Sequence, residues 1–117
     1  MSSAQDVLEI VRRWFGEVGL AGLELPSGWF GRPHDNLHKL TWSEIRGAKV
    51  FLELDNILHL VITAPTTATV KGNDLRVSGF SQLVFDRQSY GSNPTSNAEI
   101  FVSGVLRFAG QGSGLIQ

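Results

Sequence analysis

The sequence predicts an α+β domain: one N-terminal amphipathic helix packed on a curved antiparallel meander of about six strands, a roll or half-barrel. Three observations carry that expectation. A hydrophobic period near 3.6 runs from Ser3 to Val18 and then stops. From residue 38 onward, short runs rich in Val, Ile, Leu, Phe and Thr alternate with turn chemistry, which is the pattern of strands. The connections between these runs are too short for the crossover of about a dozen residues that parallel strands need. At 117 residues the chain forms one domain and buries roughly two-thirds of the surface its unfolded form exposes. It divides into a helix over 3–18, a loop over 19–37, the β-meander over 38–108 and a flexible tail over 109–117.

In the helix, Val7, Leu8, Val11, Trp14, Phe15 and Val18 recur at spacings of three and four, with Asp6, Glu9, Arg12, Arg13 and Glu17 on the other side. Ser3 suits the N-cap, Asp6 complements the positive helix end, and Gly19 supplies the left-handed residue that stops the helix. Glu9 and Arg13, four apart, read as an exposed ion pair worth about 0.3–0.5 kcal/mol. Trp14 and Phe15 read as core.

The strands follow in order: 38–45, 50–54, 57–63, 66–70, 75–78, 80–87 and 99–108, six or seven depending on how the shortest is counted. In the first, Leu40 and Trp42 are expected on one face. Arg46 to Lys49 turns the chain into Val50, Leu52 and Leu54, which share a face. Asp55-Asn56 is a tight connection, because both residue types tolerate positive φ. Ala64-Pro65 breaks the ladder, and Lys71-Gly72-Asn73-Asp74 makes another hairpin turn. Three of these strands are apolar on both faces: Phe51 opposes Val50 and Leu52, Ile57 and Val61 oppose Leu58 and Leu60, and Ile100 opposes Phe101. One sixteen-residue helix, about 24 Å long, cannot roof both sides of six strands. Either the sheet curls on itself or a second copy of the chain covers the exposed face, and a homodimer is expected. The tail has linker composition up to the apolar pair Leu115-Ile116.

Composition narrows the function classes. Ten Lys and Arg against eleven Asp and Glu give a net charge of −1, with no overall field for nucleic acid or an acidic membrane surface. The absence of Cys removes disulfides, thiolate zinc sites and a cysteine nucleophile, and suits a reducing cytoplasm. No apolar run reaches the ~20 residues of a membrane helix, and the charged N-terminus lacks the order of a signal peptide. A cytoplasmic location is expected, with neither nucleic acid nor membrane as partner. The phosphate-cradling, nucleophile-elbow, zinc-protease and dinucleotide motifs are absent, so no catalytic residue and no cofactor is assigned.

One segment invites a chemical reading. Between helix and meander, Trp29, Phe30, Arg32, His34, Asp35, Asn36 and His38 crowd two aromatics, a guanidinium, two imidazoles, a carboxylate and an amide into one loop. His34, Asp35 and His38 have the residue types of a metal site, yet fall short of the three ligands and water of catalytic zinc, and His59 lies on a distant strand; no metal is assigned. The structural reading is turn chemistry: Gly28 and Gly31 permit positive φ, Pro33 stiffens the bend, Asp35 or Asn36 bonds nearby backbone, Arg32 pairs with Asp35, and Trp29 and Phe30 close the core.

The stretch Gly31-Arg32-Pro33-His34-Asp35-Asn36-Leu37-His38, set between an amphipathic helix and a β-rich remainder, resembles a G-R-P-x-D-N-x-H stretch in a group of small uncharacterised bacterial proteins. The resemblance covers this loop and the general layout. It implies a bacterial origin and a common fold, and carries no functional residue over.

Two functional expectations follow. The first is a non-catalytic cytoplasmic interaction module, more in keeping with the residues than an enzyme. It homodimerises through an apolar sheet face and contacts a partner protein with Trp29, Phe30 and Arg32 as anchors, the residue types that interface hot spots use. The second is a small-molecule-binding or hydrolytic domain with its pocket beside His34, Asp35, Asn36 and His38.

Overall fold

The computed structural model describes residues 3–30, 37–87 and 98–110. Helix α1 (Ser3–Val18) runs as the periodicity predicts. It stops where Gly19 adopts a φ of +79° and donates its N–H to the Phe15 carbonyl at 2.9 Å, the left-handed C-terminal cap. Its apolar stripe, Ala4, Val7, Leu8, Val11, Trp14 and Phe15, is buried. No helix among the described residues is long and apolar enough to cross a membrane.

Among the described residues ten strands follow instead of six: β1 (Ala21–Leu25), β2 (Gly28–Phe30), β3 (Leu40–Arg46), β4 (Lys49–Leu54), β5 (Leu58–Thr63), β6 (Thr67–Lys71), β7 (Asp74–Ser78), β8 (Gln82–Arg87), β9 (Glu99–Phe101) and β10 (Val105–Gly110). They do not form a single meander. A first five-stranded antiparallel sheet has the order β2-β1-β10-β7-β6, and a second has the order β3-β4-β5-β8-β9. An antiparallel bridge joins them: Ala21 N–H donates to His38 O at 2.9 Å and His38 N–H to Ala21 O at 2.8 Å. The architecture is α+β, with one helix and two linked sheets among the described residues.

Four expectations need correction. The loop over 19–37 contains β1 and β2, which pair across Leu23–Phe30 and close on Leu25–Gly28; five and three residues are too few to show a clear alternation. The expected strand over 99–108 is two strands in different sheets, parted where Gly104 adopts a φ of +116° with Pro26 packed against its backbone. Leu40 and Trp42 do not share a face: the register slips between them, so Leu40 opposes Leu54 and packs on the core while Trp42 opposes Glu53 and is 42% exposed. That β-bulge re-aims one side chain. Finally, Glu9 takes a hydrogen bond from Gln5, and no ion pair joins it to Arg13 among the described residues. The tail expectation, Leu115 and Ile116 included, falls outside those residues from 111 onward.

The inner faces of both sheets and the helix stripe form one core. Leu23, Leu52, Leu60, Ile62, Leu75, Leu83, Leu106 and Phe108 are fully enclosed. Phe108 meets Phe15 edge-on at 5.1 Å and lies 6.1 Å from Trp14, so β10 is riveted to the helix by aromatics. The crossings between sheets approach closely at Gly79, whose φ is +73°; a Cβ there would overlap the Thr66 hydroxyl. Helix and core lie on the inner side of the second sheet, where Arg12 donates to the Ser43 hydroxyl at 2.8 Å and the Ser43 carbonyl at 3.1 Å. No described element covers its outer side.

Candidate functional site

Of the loop residues singled out from the sequence, Arg32, His34, Asp35 and Asn36 lie outside the described residues, as does the Arg32–Asp35 pairing. Trp29 and Phe30 are neighbours on β2 and so point to opposite sides. Phe30 turns inward against Phe85 at 5.1 Å and His38 at 5.8 Å. Trp29 turns outward, under the Arg107 guanidinium at 5.1 Å. The two aromatics therefore do not form one ridge.

His38 is 6% exposed, and its partner is Asp55, a residue of the tight turn before β5. Its Nδ1 lies 2.6 Å from Asp55 Oδ2, while Asp55 Oδ1 accepts from Lys39 N–H at 3.0 Å. Asp55 and Asn56 adopt φ of +55° and +64°, and Ile57 N–H closes the turn on the Leu54 carbonyl at 3.1 Å, the primed-turn geometry expected of Asp-Asn. The turn thus aims the carboxylate back at the bridge between the sheets. Carboxylate oxygens are acceptors, so the Nδ1–H tautomer is the one that completes this contact. The His38 Nε2 is buried and has no partner among the described residues.

On the outer face of the first sheet, register aligns Trp29, Glu24, Arg107, Arg76 and Thr69 across all five strands. Arg107 donates from Nε (3.0 Å) and Nη2 (2.7 Å) to Asp74 and from Nη1 (2.9 Å) to Glu24. The hydrogen bond to Asp74, helped by that to Glu24, raises its pKa above the ordinary guanidinium value against partial burial. With its charge met twice and its plane on Trp29, Arg107 fixes the sheet's outer surface. In the sequence these residues look scattered, because only strand order brings them together.

The outer face of the second sheet has a different character. Its middle row, Glu44, Phe51, Val61, Val84 and Ile100, is in register across β3-β4-β5-β8-β9 and is apolar from the second member on. Ile100 is 61% exposed and neighbouring Val102 is 73% exposed. On one side lies the row Arg46, Lys49, Thr63, Gln82; on the other lies Trp42, Glu53, His59, Asp86. Arg46 pairs with Glu44 and covers Phe51 at 5.3 Å, and His59 Nε2 lies 3.2 Å from Glu53. Phe51, Val61 and Ile100 were visible as strand residues opposing the core; Val84 and the outward Trp42 needed the register.

Comparison with protein-family models, with curated proteins and with solved structures returns no match.

Proposed function

We propose that the chain is a non-catalytic protein-interaction module that pairs with a second copy of itself through the outer face of the second sheet. The observation that carries this reading is the outward row Phe51, Val61, Val84 and Ile100, with Trp42 and Val102 beside it. Antiparallel sheets normally alternate apolar-in and polar-out. Four adjacent strands that break the alternation at the same level place a contiguous apolar band where the helix cannot reach, and such bands mark association surfaces. A cytoplasmic setting suits the Cys-free composition, and the loop resemblance supports a bacterial source. Val61→Glu and Val84→Glu place a carboxylate in the band without touching the inner core. Light scattering should show both variants as folded monomers and the parent chain as a dimer; a variant that stays dimeric removes the reading.

A second reading rests on one observation, the His38–Asp55 pair. A carboxylate on Nδ1 leaves Nε2 as the reactive nitrogen, the orientation used by metal-binding and general-base histidines. A small-molecule or hydrolytic site would then lie beside His38. Native mass spectrometry tests it: a retained metal ion or small molecule that disappears in His38→Ala supports this reading, and an unladen chain refutes it.

A further inference from the structure

We infer that the second copy docks with the two-fold axis lying along the Phe51–Val61–Val84–Ile100 row, across the strands, so that each strand packs over its own counterpart and Lys49 of one protomer faces Glu53 of the other. The inference rests on the interaction-module reading and adds to it the geometry of the partner.

Symmetry and charge together select this axis. Two identical faces can meet about a two-fold axis only if that axis lies in the plane between them. The strands and rows of the face offer two natural directions. An axis along the strands, through β5, keeps each row against its own row: Glu53 then meets Asp86 of the other copy, twice, and like charges in direct opposition are destabilising. An axis along the apolar row exchanges the two flanking rows. Lys49 then faces Glu53 on β4, Arg46 faces Trp42 on β3, Thr63 faces His59 on β5, and Gln82 faces Asp86 on β8. Every carboxylate in the acidic row meets a cation or a neutral group, and the guanidinium of Arg46 meets an aromatic ring, a favourable pairing. Glu44 meets its own copy on the axis, but each Glu44 is already paired with its own Arg46. Lys49 is exposed and has no ion pair or side-chain hydrogen bond among the described residues, so its charge is free for the exchange.

Size agrees with an association that needs this orientation. Five strands about 4.8 Å apart span roughly 24 Å, and three outward rows about 6.8 Å apart span roughly 20 Å. The face therefore contributes on the order of 500 Å² per protomer, about 1,000 Å² in all, at the lower limit for a specific interface. An apolar band of that size does not choose between two axes unaided; the flanking rows do.

The test uses the full chain and sedimentation velocity, with circular dichroism to confirm folding. Lys49→Glu should weaken dimerisation at least tenfold, and adding Glu53→Lys in the same chain should restore it to within about threefold of the parent, because the exchanged pair is re-formed with opposite sign. A parent dimer that is insensitive to Lys49→Glu, or a folded double variant that stays as weak as Lys49→Glu, overturns the axis while leaving the apolar docking face intact. A parent chain that is monomeric overturns the interaction-module reading itself, which separates the two failures. Because the chain has no Cys, a second readout is direct: the folded double variant Lys49→Cys, Glu53→Cys should be joined between protomers by a short bismaleimide. The absence of that cross-link in a dimeric sample also overturns the axis.

Discussion

Replacing Asp55 by Asn isolates what the His38–Asp55 pair contributes. Asn tolerates the φ of +55° at this position at least as well as Asp, so the turn survives. Its side-chain oxygen can still accept from Lys39 N–H. What is lost is the charge-assisted hydrogen bond at 2.6 Å to His38, a side chain with 7% of its surface exposed. The amide then presents N–H to a ring nitrogen that was itself donating, and the imidazole must switch tautomer, leaving an N–H at the buried Nε2. A hydrogen bond to a charged group contributes about 1.5–3 kcal/mol. For a domain of this length that corresponds to a loss of roughly 5–10 °C in Tm. The assay is urea unfolding of parent, Asp55→Asn, His38→Gln and the double variant, with the coupling energy read from the cycle. A coupling below about 0.5 kcal/mol, with Asp55→Asn as stable as the parent, would refute the claim that this pair anchors the junction between the sheets.

Two further perturbations probe the frame that presents the faces. Gly79→Ala introduces a methyl group into the Thr66 hydroxyl at a positive φ, and a loss of about 1–3 kcal/mol is expected in chemical denaturation; Gly72→Ala, with open space around its Cβ, should lose less. Arg107→Met keeps the aliphatic stem but leaves Glu24 and Asp74 without their shared donor. It should cost about 1–3 kcal/mol and leave the dimerisation constant unchanged, because Arg107 lies on the other sheet.

What was legible in the sequence is what depends on neighbours along the chain. The helix bounds follow from a strong 3.6-residue period closed by Gly19. The Asp55-Asn56 turn follows from the tolerance of both residues for positive φ, and the inward set Val50, Leu52, Leu54, Leu58, Leu60 and Ile62 from simple alternation. What was not legible depends on partners far apart in sequence. Nothing local marks Ser103-Gly104 as the place where one apolar stretch changes sheets, since Val105 continues the pattern of Val102 on the page but pairs with Ser78 in the first sheet. A one-residue bulge at Thr41 reverses the reading of Trp42, from the face it was expected to share with Leu40 to the exposed outer face of the second sheet. His38 takes its carboxylate from Asp55, seventeen residues on, a partner that no local pattern marks, and Trp29 and Phe30 part to opposite sides of β2.

If the outer face of the second sheet joins two copies of the chain, its mass in solution depends on concentration. Sedimentation equilibrium of the unmodified protein from about 1 to about 100 micromolar, the range in which a small interface associates, tests it most directly. Dimerisation through this face gives a mass rising from near 12.8 kDa toward twice that value; a mass that stays at 12.8 kDa across the whole range shows that the face does not join two copies.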